Sequence, residues 1–194
     1  AELSNEISER KKIERQITHL ATHDSLTNLP NRHLLIDRLD HAFTSARRDQ
    51  SKVAILFVDL DSFKQINDAL GHMKGDLTLI EMANRMTSCL REKDTVARLG
   101  GDEFVILIED LENDKEAYEV AQRITDLLKQ PFTIENHVVF IGTSIGILFS
   151  DERYTDANNM LRDADTAMYH AKDNGKGRYE VFDSSMHNKV QSAL

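Results

Sequence analysis

The stretch TVARLGGDEFVILI, residues 95–108, carries the strongest indication of how this chain folds. Two segments that suit strands, Thr95 to Leu99 and the apolar Phe104 to Ile108, lie on either side of the pair Gly100-Gly101. Glycine reaches the positive φ angles that a tight turn between strands requires, so this pattern predicts a β-hairpin. A hairpin places two antiparallel strands side by side, and this pair is the start of the predicted sheet.

The rest of the chain alternates helices and strands around this hairpin. The apolar run from Val53, which ends in acid at Asp59, predicts a buried strand, and a helix from about Ser62 to Leu70 follows with Asp61 placed to cap it. Apolar spacing predicts further helices near residues 32–43, 76–90, 117–128 and 157–171, and further strands near residues 132–134, 138–149 and 179–182. Because the hairpins make the sheet mainly antiparallel, we expect an α+β fold rather than a doubly wound one.

Length and composition bound the function. The chain has 194 residues, 40% of them hydrophobic and 29% charged, with a formal net charge of −9, as expected for one globular domain with a short appendage. The acidic balance argues against nucleic acid as a partner, since like charges repel. The apolar runs are far shorter than the ~20 residues of a membrane span, and the charged N-terminus lacks a signal-peptide core, so we expect a cytoplasmic segment.

The first 21 residues predict a separate linker helix. Its apolar residues form a thin stripe that includes Ile7, Ile13 and Ile17, and such a stripe buries too little surface to fold alone. The stripe either pairs with a parallel helix from a second chain or lies on its own domain.

Acidic residues end the first buried strand and occupy the tip of the hairpin. Asp59 and Asp61 leave the strand, and Asp102 and Glu103 follow the two glycines. If the two strands are neighbours, these carboxylates converge and repel one another unless a hard cation such as magnesium lies between them. The alternative is two unrelated pairs of solvated turn acids.

Groups suited to a triphosphate surround these acids. Gly100-Gly101 allows a ligand to approach the backbone closely, and the helix start at Ser62 to Lys64 offers free amides and a positive dipole end. Lys172 and Lys176 add positive charge near a late glycine. A metal, amides and lysines together favour a nucleoside triphosphate as the ligand.

These residues resemble those of the GGDEF family, the diguanylate cyclases, whose name-giving signature stands at residues 100–104. Further matches follow in the family's order over residues 22–182: DSLTNLPNR (24–32), DLDSFKQIND (59–68), GHMKGD (71–76), SIG (144–146) and AK (171–172). The resemblance implies a ferredoxin-like nucleotide-cyclase palm, with a mainly antiparallel central sheet flanked by helices and preceded by the linker helix.

The resemblance also implies the reaction. Two GTP molecules are condensed into cyclic di-GMP and two pyrophosphates, with one GTP on each subunit of a homodimer and magnesium, or alternatively manganese, assisting attack of each 3′-hydroxyl on the partner's α-phosphate. The implied metal ligands are Asp59, the Leu60 carbonyl, Asp102 and Glu103. Asp102, Glu103 and Lys64 are the implied catalytic residues; the implied substrate-binding residues are Phe63, Asn67, His72, Asp76, Gly101, Lys172 and Lys176.

A second nucleotide site is implied by Arg91-Glu92-Lys93-Asp94, which is separated from Gly100 by five residues and matches the family's RxxD inhibitory motif. Arg91 and Asp94 would bind the product and inhibit the enzyme. The alternative is a charge cluster at a helix end, where Arg and Lys are favoured in any case.

The resemblance suggests a larger parent protein. We expect a signalling or linker helix over residues 1–21, the GGDEF domain over 22–183 and a linker over 184–194, between a PAS domain and an EAL phosphodiesterase domain, in a protein that other regions could tether to a membrane. The alternative function is a GTP-binding regulatory GGDEF module that makes little product and controls an adjoining phosphodiesterase.

Overall fold

The computed structural model describes the backbone of residues 2–187 and the side chains of residues 5–187. The helices are α1 (Glu2–Thr22), α2 (Arg32–Asp49), α3 (Phe63–Leu70), α4 (His72–Ser88), α5 (Asp114–Leu128) and α6 (Ala157–Asp173). The strands are β1 (Lys52–Asp61), β2 (Thr95–Gly100), β3 (Glu103–Leu111), β4 (Phe132–Ile134), β5 (His137–Val139), β6 (Gly142–Phe149) and β7 (Tyr179–Val181). Residues 188–194 of the expected C-terminal linker lie outside the described residues.

Five strands form the central sheet in the order β2-β3-β1-β6-β7. β1 is antiparallel to both β3 and β6, β2 is antiparallel to β3, and β7 joins β6 in parallel. β4 and β5 form a separate two-stranded hairpin. The predicted α+β fold with a mainly antiparallel sheet is confirmed.

β1 is buried on both faces because helices cover both sides of the sheet. Successive strand residues point to opposite faces. Leu56 and Val58 belong to the core beneath α4 and α5, whereas Ile55 and Phe57 belong to the core beneath α2 and α6. This double burial explains why β1 is a continuous apolar run rather than an alternating one.

The prediction that Asp61 caps the following helix is wrong. The residue before α3 is Ser62, in the left-handed conformation with φ 62°, and no side chain caps the helix. Asp61 is the last residue of β1, and its carboxylate accepts hydrogen bonds from Ser144 Oγ at 2.7 Å and from the Gly177 amide at 2.9 Å. β1 extends two residues further than predicted, so this carboxylate faces β6 and the late glycine loop instead.

The apolar stripe of α1 is not covered by the rest of the described chain. Ile7, Ile13, Ile17 and Leu20 are 49%, 50%, 62% and 71% exposed. We expected this stripe either to pair with a helix of a second chain or to pack on its own domain. The structure does not show these four side chains packed on their own domain. Within residues 2–187, no helix is both long and apolar enough to cross a membrane.

Candidate active site

The two groups of acids meet at one end of the sheet. β1 and β3 pair in a register that sets Asp59 directly opposite Glu103. Beyond this pair, the Leu60 amide donates to the Asp102 carbonyl at 3.3 Å, which joins the hairpin tip to β1. The sequence predicted this convergence only on the condition that the strands were neighbours, and β3 and β1 are neighbours.

Asp59 is the electrostatic centre of the site. Its side chain is buried, and Lys172 Nζ of α6 lies 2.8 Å from its Oδ1 atom. The pKa of Asp59 is raised to about 6: burial is the largest cause, since it disfavours the charged form, the nearby Asp102 and Glu103 carboxylates add to the rise, and Lys172 opposes it. The site therefore holds more negative charge than Lys172 alone neutralises.

Asp165 of α6 belongs to the same charge cluster, and the sequence did not predict it. Burial raises the pKa of Glu103, and Asp165 and Asp102 add to the rise, with Lys172 and Arg32 opposing. Burial likewise raises the pKa of Asp165, although its side chain keeps access to solvent. The spacing could have indicated this position, because Asp165 precedes Lys172 by seven residues and therefore lies on the same face of the helix.

The donor set suits a hard divalent cation. Carboxylates and a backbone carbonyl are oxygen ligands of the kind that magnesium takes, and a cation would offset the repulsion by which Asp102 and Glu103 add to the raised pKa of the buried Asp59. Within residues 5–187, no three His, Cys, Asp or Glu side chains are already arranged to enclose a metal. Asp59 is paired with Lys172 instead, and magnesium usually completes its ligands with water and substrate phosphates.

The predicted phosphate-binding groups lie at the start of α3 and the end of α6. Without a side-chain cap, the first turn of α3 keeps amides free for an anion. Phe63 is buried in the core, so only its backbone is available, whereas Lys64 is exposed. Lys176 is exposed in a left-handed turn at φ 60°, and Lys172 contacts Asp59 rather than standing free.

The predicted guanine-binding residues lie where α3 meets α4. Gly71, at φ 88°, ends one helix and begins the other. Asn67 is half-buried and packs so closely on Gly75 that a Cβ there would overlap its carboxamide. His72 and Asp76 are exposed one turn apart on α4, so the three residues lie around the α3–α4 junction.

The hairpin tip is also held by Arg98, which the sequence did not single out. Its guanidinium contacts Asp24, which follows α1, and the Gly101 carbonyl. Asp24 lies inside a family motif and Arg98 stands two positions before Gly100. Their pairing could not be predicted, because 74 positions separate them in the chain.

The predicted inhibitory pair lies in a turn after α4. The Arg91 amide donates to Asp94 Oδ2 at 3.0 Å, and Arg91 Nη2 lies 3.0 Å from Glu116 Oε2 of α5 while the arginine side chain stays 55% exposed. Among the described side chains, Asp94 Oδ1 is the buried oxygen without a hydrogen-bond partner. The Arg91 guanidinium is accessible, whereas the unpartnered Asp94 oxygen is buried, so a ligand would reach that acceptor only after the turn opens.

Residues 21–178 match the family described as "Diguanylate cyclase, GGDEF domain". The chain belongs to this family. The match covers the β1 acids, the α3–α4 junction and the hairpin tip in one continuous segment.

This GGDEF domain is similar to parts of longer signalling proteins. It is 47% identical over 183 residues to MucR, a bifunctional diguanylate cyclase/cyclic di-GMP phosphodiesterase of Pseudomonas aeruginosa, covering 94% of this chain and 27% of MucR. It is 40% identical over 186 residues to PdeR, a cyclic di-GMP phosphodiesterase of Escherichia coli, covering 95% of this chain and 28% of PdeR. The chain thus spans about a quarter of the length of these relatives.

A solved structure of a GGDEF domain alone has the same fold. The GGDEF domain of TpbB (YfiN) from Pseudomonas aeruginosa matches with a TM-score of 0.84 and 39% identity, covering 87% of this chain and 99% of that chain. The central sheet flanked by helices is therefore the arrangement of the family.

Proposed function

We propose that this chain is an active diguanylate cyclase that condenses two GTP molecules into cyclic di-GMP and two pyrophosphates. The observation that carries the proposal is the convergence of Asp59, Asp102 and Glu103 at one end of the sheet, with the pKa of Asp59 raised to about 6. Carboxylates that repel one another in a partly buried site lower the stability of the fold. A role in binding a cation for catalysis explains why such a destabilising cluster is present.

The reaction makes two phosphodiester bonds and breaks two phosphoanhydride bonds. Each 3′-oxygen loses its proton and bonds to the α-phosphorus of the other GTP, while pyrophosphate leaves with the bonding electrons of the α–β bridge. Magnesium, or manganese in its place, would be held by Asp59, the Leu60 carbonyl, Asp102 and Glu103, and would lower the pKa of the 3′-hydroxyl and balance phosphate charge.

The chain's own residues bind and orient the nucleotide. The α3 amides and Lys64 would bind the phosphates, with Lys64 stabilising charge that develops in the transition state. Lys176 and Lys172 would add positive charge, the latter after releasing Asp59. Asp76 would accept from guanine N1–H and its amino group, which adenine does not present together, and this favours GTP over ATP.

Catalysis by this scheme requires a homodimer, because each subunit supplies one GTP. Bringing the two nucleotides together is worth on the order of 7 to 11 kcal/mol of the barrier. The exposed stripe of α1, with Ile7, Ile13, Ile17 and Leu20, supports pairing with α1 of a second copy, since a parallel helix would cover these side chains.

We also propose product inhibition at Arg91 and Asp94. The accessible Arg91 guanidinium supports a guanine-binding role, and the buried, unpartnered Asp94 Oδ1 would accept from the base after the turn opens. In this scheme cyclic di-GMP bridges the pair, and Glu116 releases Arg91 when the product binds.

The test is incubation with GTP and Mg²⁺ at high protein concentration, with the products separated by chromatography. We expect cyclic di-GMP from the wild type and, for Asp102→Ala, a loss of about 10²-fold or more, as when one charge-stabilising group is removed. Absence of cyclic product, or undiminished product from the variant, would contradict the proposal.

A second candidate is a GTP-binding module that regulates an adjoining phosphodiesterase. Similarity to PdeR, which is named a cyclic di-GMP phosphodiesterase, favours it. GTP binding by calorimetry without turnover would select this function, whereas product formation selects the cyclase. For the parent protein we propose the linker helix (1–21), the GGDEF domain (22–183) and the linker (184–194), PAS and EAL neighbours, and a cytoplasmic location for this segment.

A further inference from the structure

Arg98 of β2 connects the segment after α1 with the tip of the β2–β3 hairpin (residues 95–111), which we name the catalytic hairpin. Its Nη1 atom lies 2.9 Å from each carboxylate oxygen of Asp24, in the segment 23–31 that we name the junction turn. Its Nε and Nη2 atoms donate to the Gly101 carbonyl at 3.0 and 2.9 Å. The side chains of Arg98 and Asp24 are only 11% and 18% exposed, so one guanidinium is fixed between two distant parts of the chain.

The junction turn holds the Asp24 carboxylate in one position. Asp24 Oδ1 accepts from the Thr27 amide at 2.9 Å and from Thr27 Oγ1 at 2.7 Å, and the Asp24 amide donates to the Leu29 carbonyl. Burial by itself would raise the pKa of Asp24, but the hydrogen bonds from Thr27 and Arg98 outweigh it and lower the pKa. Arg98 therefore faces an ionised, oriented acceptor at neutral pH.

The catalytic hairpin needs external contacts to hold its tip. Gly100 and Gly101 have φ angles of 147° and 49°, and neither has a side chain that could pack against the sheet. Two contacts fix the tip from opposite sides: Arg98 binds the Gly101 carbonyl, and the Leu60 amide binds the Asp102 carbonyl. The peptide unit that begins with the Gly101 carbonyl leads directly into Asp102, so its orientation sets the direction of that carboxylate.

The junction turn is attached to α1 and to β2 by separate hydrogen bonds. Asn31 Nδ2 donates to the Ala21 carbonyl and the Asn31 amide to the Thr22 carbonyl, both at 2.9 Å. The Arg98 amide donates to the Pro30 carbonyl at 3.0 Å. The last turn of α1, the junction turn and the edge strand of the sheet are thus joined in one hydrogen-bonded chain.

We propose that Arg98 is a positioning residue for the cyclase site and that Asp24 sets its position. Arg98 orients the Gly101 carbonyl and, through it, Asp102 and Glu103, so a movement at the end of α1 reaches the hairpin through Asp24. The kinetic part of this inference rests on the proposed cyclase function, whereas the structural coupling between Asp24 and the hairpin does not.

The kinetic test compares Arg98→Lys and Asp24→Asn with the wild type. Lysine keeps the charge opposite Asp24 but loses the fork that donates twice to the Gly101 carbonyl. Misplacing reacting groups by about 1 Å lowers the reaction rate on the order of 10²-fold. We therefore expect kcat to fall about 10²-fold for Arg98→Lys and about 10-fold for Asp24→Asn. The KM for GTP should change much less than kcat, because Asn67, His72 and Asp76, which are proposed to bind the nucleoside, lie on α3 and α4 rather than on the hairpin.

Asp151→Asn is the matched control. Asp151 also organises a turn and pairs with an arginine, Arg153 at 2.8 Å, but it follows β6 at the opposite end of the sheet. This variant should keep the wild-type kcat. Urea denaturation of all variants shows that the kinetics are measured on folded protein.

A second readout does not depend on activity. In amide NMR spectra of the nucleotide-free chain, Asp24→Asn and Arg98→Lys should shift the signals of Gly100, Gly101 and Asp102, and Asp151→Asn should not. Unmoved Gly101 and Asp102 signals in Asp24→Asn, or a kcat within about threefold of the wild type for folded Arg98→Lys, would overturn the inference. If the wild type makes no product but the two variants show these shifts, the proposed cyclase function is refuted and the coupling between Asp24 and the hairpin is still supported.

Discussion

Replacing Asp59 with asparagine should make the protein more stable at neutral pH while removing a proposed metal ligand. In the folded chain burial, together with Asp102 and Glu103, raises the pKa of Asp59 from its ordinary value of 3.8 to about 6. At about 1.4 kcal/mol for each pKa unit, ionising Asp59 costs the folded state about 3 kcal/mol relative to the unfolded chain. Lys172 is already included, since its ammonium helps to set this pKa.

The sign follows from which state holds the proton. Between about pH 4 and pH 6 the folded chain keeps a proton on Asp59 that the unfolded chain has released, so the contribution of Asp59 to stability falls as the pH rises. Asparagine has no such proton. We therefore expect Asp59→Asn to raise the free energy of unfolding at pH 7 by about 1 to 3 kcal/mol, and this advantage should vanish near pH 4.

The assay is urea denaturation of both proteins at a series of pH values from 4 to 8 without divalent cations. Asp151→Asn is a control of opposite sign: hydrogen bonds from Arg153 lower the pKa of Asp151, so its ionised form stabilises the fold and its loss should bring no gain at pH 7. A pH-independent difference between wild type and Asp59→Asn, or a less stable variant at pH 7, would refute the reasoning. Added Mg²⁺ should then stabilise the wild type more than the variant.

Three further predictions concern regulation, packing and specificity. Arg91→Ala should relieve inhibition by added cyclic di-GMP without lowering the initial rate; an unchanged inhibition curve counts against the site. Gly146→Ala should destabilise the fold by about 2 kcal/mol or more in urea, because its Cβ would overlap the backbone of Ala164 and Met168 where α6 packs on β6; a wild-type midpoint would show that the helix can move away. Asp76→Ala should lower the preference for GTP over ATP by about 10-fold or more in competition binding, and an unchanged ratio would exclude Asp76 from base recognition.

Local pattern was sufficient for most of the fold. The apolar run of β1 and the helical spacing around Leu79 and Met86 indicate burial, which follows from periodicity within a few residues. The glycine pair of the hairpin indicates a turn, which is also a local property. The exact end of β1 was not predictable, because aspartate just before a helix commonly caps it and Asp61 stands at such a position. Its place at the end of the strand, facing Ser144 and Gly177, depends on residues more than 80 positions away.

Short motifs place the acids, the glycines and the lysines of the site at fixed spacings on elements that form locally, so these residues were predictable from the amino-acid sequence. The tertiary structure alone decided the contacts that cross the sheet: Lys172 on Asp59, Asp165 beside Glu103, and Arg98 between Asp24 and Gly101. Each of these joins elements that are distant in the chain and meet only when the sheet closes in the order β2-β3-β1-β6-β7. The pKa of Asp59 is a property of that assembly, because burial and neighbouring charges exist only in the folded chain.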